Sequence, residues 1–124
     1  MVERVFDAPD FQVYSIEGAP TDGSFITGAM TPSYEQGYIS VVFYTDQSKT
    51  TPTNPTQGTV AFEGSETGVQ YGEISAPINA STFGEASTYT RPVFAGPIKF
   101  VRVTFAASVD AAWFEMRVGR YCRG

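Results

Sequence analysis

Histidine and leucine are both absent from this chain, and cysteine occurs once, as Cys122. Without histidine there is no Ser-His-Asp or Cys-His arrangement, no imidazole general base and no imidazole ligand for zinc. One cysteine closes no internal disulfide and builds no thiolate metal site. The lack of leucine removes one of the best helix formers. Apolar positions go instead to Val, Ile, Ala, 10 Phe and 7 Tyr, and β-branched and aromatic residues suit a pleated sheet. Positive charge is scarce, with 8 Lys and Arg against 13 Asp and Glu, for a net charge of −5. Such a chain repels phosphate backbones, so no nucleic-acid partner is expected. No stretch approaches the roughly 18 apolar residues of a membrane span, so no membrane partner is expected either. The start, Met1-Val-Glu-Arg-Val-Phe-Asp, lacks the basic-then-apolar pattern of a signal peptide. The chain is expected to be made in a cytosol and to stay soluble, and the sequon Asn79-Ala80-Ser81 is read as chance. The phosphate-cradling glycine patterns are missing as well.

What is present describes an all-β domain. The 124 residues suffice for one domain and for a core that needs no disulfide or metal. Twelve Gly and eight Pro supply turns. Phe11 to Ile16 and Ser24 to Gly28 read as strands. Tyr38 to Thr45 is the clearest strand, with Ile39, Val41 and Phe43 on one face and Tyr38, Val42 and Tyr44 on the other. Both faces are apolar, which predicts a central or doubly covered strand. Asp46 to Gln57 is a polar loop with two prolines, either functional or a passive connection. Thr59 to Glu63, the turn Gly64 to Gly68, and a return strand starting at Val69 and Tyr71 and ending near Ile74 read as a hairpin. In that reading Val60, Phe62, Val69 and Tyr71 close the core. Ser75 to Ser87 has few anchors, and Thr88 to Phe94 reads as extended. Ile98 to Ala106 and Ala112 to Cys122 complete the set, with Val101, Val103 and Phe105 sharing one face of the first, and Phe114, Met116 and Val118 facing inward on the second. The sum is about seven or eight mainly antiparallel strands at sandwich spacing, a single jelly-roll-like β-sandwich over residues 1–124.

Remaining chemistry is sparse. Carboxylate pairs for glycoside hydrolysis would come from Glu63, Glu66 and Glu73, or from Asp7 and Asp10, but solvated surface acids explain them better. Glu63, Ser65 and Glu66 are oxygen ligands without the spacing of a calcium loop. Tyr34, Tyr38, Tyr44, Tyr71, Tyr89 and Trp113 are aromatics that would stack on sugars if exposed, and packing accounts for most such residues. No catalytic, cofactor or metal residue is assigned, and no enzyme activity is expected. Partner contacts are expected instead. The N-terminal arm, residues 1–11, carries Val2, Val5, Phe6 and Phe11, more apolar groups than a free tail needs. It either adds a strand to this sheet or docks on a neighbouring chain. Lys49 lies in the long loop, and Arg117, Arg120 and Arg123 crowd the C-terminus. That cluster is either a solvated strand end or an anchor onto an acidic protein surface.

Two segments carry a family resemblance. Gly58 to Ile74 reads Gly-Thr-Val-Ala-Phe-Glu-Gly-Ser-Glu-Thr-Gly-Val-Gln-Tyr-Gly-Glu-Ile. Arg91 to Phe105 reads Arg-Pro-Val-Phe-Ala-Gly-Pro-Ile-Lys-Phe-Val-Arg-Val-Thr-Phe. Through them the segment Gly58 to Gly119 resembles small virion proteins of tailed bacteriophages, and the Arg-Pro-x-Phe-x-Gly-Pro element is the more telling match. The hairpin is also similar to that of discoidin-like carbohydrate-binding sandwiches, with Tyr71 where a tryptophan is usual. The phage resemblance implies a capsid cement or decoration protein, bound to the major capsid protein or other virion proteins and located in the virion, with the host cytoplasm as the site of assembly. A homo-oligomer, trimer or dimer, is expected of such modules. The alternative is a tail or baseplate module that recognises host-surface carbohydrate. A small hydrolase using Glu63 or Glu115 is a third reading.

Overall fold

The computed structural model describes residues 10–21, 23–30, 37–83 and 97–122, with backbone alone for 10, 11 and 120–122. Among the described residues, eight strands build two antiparallel sheets: β1 (Asp10–Gly18), β2 (Gly23–Ile26), β3 (Gly37–Tyr44), β4 (Pro52–Thr53), β5 (Thr59–Ser65), β6 (Gly72–Asn79), β7 (Phe100–Ala106) and β8 (Trp113–Cys122). One sheet has the order β1-β8-β3-β4, the other β2-β7-β5-β6. The first strand pairs with the last in one sheet and the second with the second-last in the other. This nesting is that of a jelly-roll sandwich, as the turn spacing and alternating apolar residues predict.

The core lies between the sheets. Ile39, Val41 and Phe43 of β3 and Phe114, Met116 and Val118 of β8 face Val60 and Phe62 of β5 and Val101, Val103 and Phe105 of β7, all essentially without solvent contact. On each of β3, β7 and β8 these residues share one face, as period-two alternation requires. Aromatic rings meet edge to face: Phe105 and Phe114 have centroids 4.7 Å apart, and Phe25 and Phe114 4.9 Å. Thr27 is the buried polar residue that extends the β2–β7 contact. Its N–H donates to Val101 O at 3.0 Å and its Oγ1 accepts from Val101 N at 3.1 Å. These two hydrogen bonds offset the cost of taking the polar groups out of water.

The hairpin differs from its sequence reading. Residues 66–71 form the connection, and the return strand starts at Gly72 and runs on to Asn79. Val69 is 82% exposed and contributes nothing to the core. Ser65 Oγ accepts from the N–H groups of Thr67 and Gly68, and Thr67 Oγ1 from that of Val69, so side chains rather than strand pairing satisfy this backbone. In β6, Ala76 and Pro77 together oppose Ala61, a bulge that lets an edge strand accommodate proline. Beyond β6, a 3-10 turn over Ala80–Thr82 delivers Phe83 into the core, where it meets Phe43 at 5.7 Å. The segment read as poor in anchors therefore supplies one of the largest buried side chains. The arm residues 1–9, Arg91 to Phe94, Tyr34 and Tyr89 lie outside the described residues.

Candidate interaction surface

The outer face of the β1-β8-β3 sheet brings Glu17, Lys49, Trp113, Glu115 and Arg117 into one connected set of contacts. Because Phe114, Met116 and Val118 face inward, Trp113, Glu115 and Arg117 must face outward. Register then fixes their neighbours. Glu17 of β1 and Val42 of β3 flank Glu115, Ser15 and Ser40 flank Arg117, and Tyr44 lies beside Trp113.

Glu17 and Glu115 stand directly opposite, an unfavourable like-charge pair in a sheet. Lys49 resolves it. Its Nζ lies 3.2 Å from Glu17 Oε2 and 3.6 Å from Glu115 Oε2. Glu17 also accepts a hydrogen bond from the Trp113 indole, Nε1 to Oε1 at 2.8 Å. Arg117 reaches Glu115 Oε1 at 3.3 Å. The indole hydrogen bond first, and then that from Lys49, hold the Glu17 carboxyl below its usual value, while Glu17 raises Lys49. Exposed pairs of this kind add little stability, so their main effect is to fix the positions of the side chains.

The long loop is what delivers Lys49. Asp46 accepts from Ser48 Oγ at 2.6 Å, Thr50 N at 3.1 Å, Thr51 N at 3.3 Å and the Thr50 hydroxyl. These bonds, led by those from the Ser48 and Thr50 hydroxyls, lower its pKa to about 2. Lys49 sits at the tip with φ of 60°, and its N–H closes the turn on Asp46 O at 3.1 Å. Pro52 and Thr53 pair with β3, and the loop's far end is tied to the β7–β8 turn. There Asp110 accepts from Thr56 Oγ1 at 2.7 Å, Thr56 N at 2.8 Å and Gln57 N at 3.0 Å, and its pKa too falls to about 2. Two aspartates therefore organise a segment that has almost no apolar residues.

Of the residues expected to contact partners, Lys49 and Arg117 come together here, joined through Glu115. The backbone of Phe11 pairs with Tyr121, and that of Arg120 with Gln12 and Gly37. Val2, Val5, Phe6 and Arg123 lie outside the described residues. Glu17 was not singled out by sequence, because it joins the site only through the pairing of β1 with β8. Among the candidate carboxylates, Glu63 is bonded to Arg102, Nε to Oε1 at 2.8 Å, and Arg102 stacks 4.1 Å from the Tyr71 ring centroid. Among the described residues no cluster of three or more His, Cys, Asp or Glu is placed to hold a metal ion, and no helix is long and apolar enough to cross a membrane. An open, mostly polar cleft of about 300 Å³ lies at the β5–β6 turn, lined by Ser65, Glu66, Thr67, Gln70 and Ile98.

No protein-family model matches the chain, and neither does any curated protein sequence. Solved structures do share its fold. A chain in the acid-stable capsid of Helicobacter pylori bacteriophage KHP30 is 11% identical, with a TM-score of 0.59 over 94% of this chain and 91% of that one. A chain of the disulfide-linked pili that form Bacillus endospore appendages is 11% identical, with a TM-score of 0.51 over 93% and 89%. The carbohydrate-binding module CBM32-1 of a Clostridium perfringens family 31 glycoside hydrolase is 14% identical, with a TM-score of 0.48 over 96% and 99%. At such identities the likeness is one of architecture, and fold alone does not fix function.

Proposed function

We propose that this chain is a non-enzymatic structural protein of a bacteriophage virion, and within it a cement or decoration protein that binds and stabilises the head shell. The observation that carries the reading is the likeness, nearly end to end in both chains, to a similarly sized chain of a phage capsid. Two further features support it. The chain has no histidine, and the outward acids Glu17, Glu63 and Glu115 are engaged in ion pairs. The outer face of β1-β8-β3 is an array of charged and aromatic side chains held by mutual contacts, which suits docking on another protein. In this reading the major capsid protein or another virion protein is the partner. Lys49 and Arg117 belong to the contact surface, and Val2, Val5 and Phe6 act as an arm that adds to a neighbour's sheet edge, whereas Phe11 pairs with the chain's own β8.

The test is direct. Particles of the phage that encodes this chain are purified, their proteins identified by mass spectrometry, and the particles imaged by electron microscopy. Density for this sandwich on the outside of the head is the expected result. Its absence from the particle, or its location at the tail together with specific binding on a glycan array, would replace this reading with that of a carbohydrate-recognition module.

A further inference from the structure

The open cleft of about 300 Å³ beside the β5–β6 connection collects polar groups that the fold does not use. Gly64, Ser65, Glu66, Thr67, Gln70 and Ile98 line it. Ser65 is only 3% exposed, so a buried hydroxyl forms part of the wall. Its Oγ accepts from the N–H groups of Thr67 and Gly68 at 3.1 and 2.8 Å, and Thr67 Oγ1 accepts from those of Val69 and Gln70 at 3.1 and 3.4 Å. In each of these bonds the hydroxyl oxygen is the acceptor, so each hydroxyl keeps its own proton to donate. The two oxygens lie 3.5 Å apart, and in that contact one hydroxyl at most is the donor. At least one O–H is therefore left without a partner among the described residues. The side chains of Glu66 and Gln70 are exposed and also have no partner among the described residues.

We infer that this cleft binds a neutral saccharide. A sugar hydroxyl both donates and accepts hydrogen bonds, so a site for neighbouring hydroxyls needs groups of both kinds. Glu66 supplies a carboxylate that only accepts, Gln70 an amide that does both, and the Ser65–Thr67 pair a hydroxyl donor. Ile98 is the apolar wall for the C–H face of the ring. The lining holds one carboxylate and no cation, and Lys99, though next to Ile98, is not part of it. Phosphate, sulfate and uronic acids are therefore disfavoured by like-charge repulsion.

Size and rigidity support a small ligand. The volume lies at the lower end of the range of small-molecule sites, about 300–1,000 Å³. The Ser65 and Thr67 oxygens already hold the backbone of the connection, so binding has little left to order. Water competes for every hydrogen bond in an open cleft, and the expected dissociation constant is about 1–10 mM. This inference goes beyond the virion reading and does not depend on it. A chain on the capsid that binds sugar here satisfies both. A chain that binds sugar here and is absent from the virion leaves this inference standing alone.

Titration of the isotope-labelled full chain with glucose, galactose, mannose, N-acetylglucosamine and glucuronate, followed by amide NMR, tests it. At least one of the neutral sugars is expected to shift the Glu66, Thr67 and Gly68 amides and the Gln70 side-chain amide to saturation, while glucuronate does not. Glu66→Ala and Gln70→Ala each weaken that binding about three- to tenfold, the loss of one hydrogen bond. Both positions are exposed, so the fold is retained, which circular dichroism checks. Glu73→Gln, at an exposed acid outside the lining, leaves binding unchanged. The inference is overturned if no neutral sugar gives a saturable shift at this cleft up to about 100 mM. Binding that folded Glu66→Ala and Gln70→Ala both leave unchanged overturns it too, as does glucuronate binding as tight as that of the neutral sugars.

Discussion

Trp113 donates its indole N–H to Glu17 across 2.8 Å, linking the start of the last strand to the end of the first, 96 positions away in sequence. The same carboxylate binds Lys49 through its other oxygen. Trp113→Phe keeps the ring and removes the donor. The bond to Trp113 is the largest cause of the lowered Glu17 pKa. The variant should therefore move that pKa back up toward the ordinary carboxylate value, with Lys49 still holding part of the shift. Carboxyl-carbon NMR titration of Glu17 in both proteins measures this. An unchanged Glu17 titration would show that the indole contact does not form in solution.

Asp110 ties the loop end at Thr56 and Gln57 to the β7–β8 turn, and its pKa falls from 3.8 to about 2. A folded value below the unfolded one means that the contribution to stability is complete above the unfolded pKa. It is lost as pH falls through the folded value. Stability should therefore decline between about pH 4 and pH 2, and Asp46 adds to the decline over the same window. Asp110→Asn lowers Tm at neutral pH and flattens the acid dependence in that window. Thermal melts at successive pH values check both effects, and a variant whose acid slope equals that of the natural chain would refute the assignment.

The inward face of β8 was legible because alternation decides it: Phe114, Met116 and Val118 alternate with Trp113, Glu115 and Arg117. On β3 both faces are apolar, so alternation separates Ile39, Val41 and Phe43 from Tyr38, Val42 and Tyr44, and only the pairing with β8 makes the first set the inward one. The hairpin was legible only in part. Val69 follows a glycine and precedes Gln70 and Tyr71 in apparent alternation, yet the hydroxyls of Ser65 and Thr67 capture the local N–H groups and hold residues 66–71 out of the ladder. Phe83 was overlooked because a lone aromatic among small polar residues carries no periodic signal. The surface around Glu115 was the least legible part. Glu17, Lys49 and Trp113 meet through strand order, which is a property of long-range pairing and leaves no local pattern.

Phe105 and Val69 test the core assignment together. Phe105 meets Phe114 at 4.7 Å, Phe25 at 5.9 Å and Phe43 at 6.1 Å, all edge to face. Phe105→Ala should cost about 3–5 kcal/mol, enough to bring a domain of ordinary stability close to unfolding. Val69→Ala should stay within about 0.5 kcal/mol, since the side chain is already in water. Urea titrations of both variants decide it. A Val69→Ala loss as large as that of a core truncation would restore Val69 to the sandwich.

On the opposite sheet, Arg102 is held by Glu63 on one side and lies over the Tyr71 ring on the other. Arg102→Lys retains the charge but removes the planar group that stacks and the Nε donor. The expected loss is about 0.5–1 kcal/mol, the range of an exposed cation–π contact. Tyr71→Phe keeps the ring and should be nearly neutral. A double-mutant cycle over Arg102 and Tyr71 isolates the stacking energy, and a coupling indistinguishable from zero would show that the contact is only geometric.

Gly58 precedes β5 at φ of +94°, a backbone conformation that L side chains rarely adopt. A methyl group added there would lie 2.6 Å from Val109 Cγ2 and 2.8 and 2.9 Å from the Val109 Cα and N. The side-chain contact can yield, but the backbone cannot. Val109 sits next to Asp110, which is fastened to Thr56 and Gln57, and the Ala111 N–H bonds back to Val109 O at 3.0 Å. Gly58→Ala is therefore expected to cost about 2–5 kcal/mol, combining backbone strain with overpacking. Gly72→Ala is the control: a Cβ there meets nothing within 4 Å and φ is not positive. Thermal denaturation of the two variants should separate them widely. Equal melting temperatures would mean that the β7–β8 turn does not pack against Gly58, and the anchoring assigned to Asp110 would fail with it.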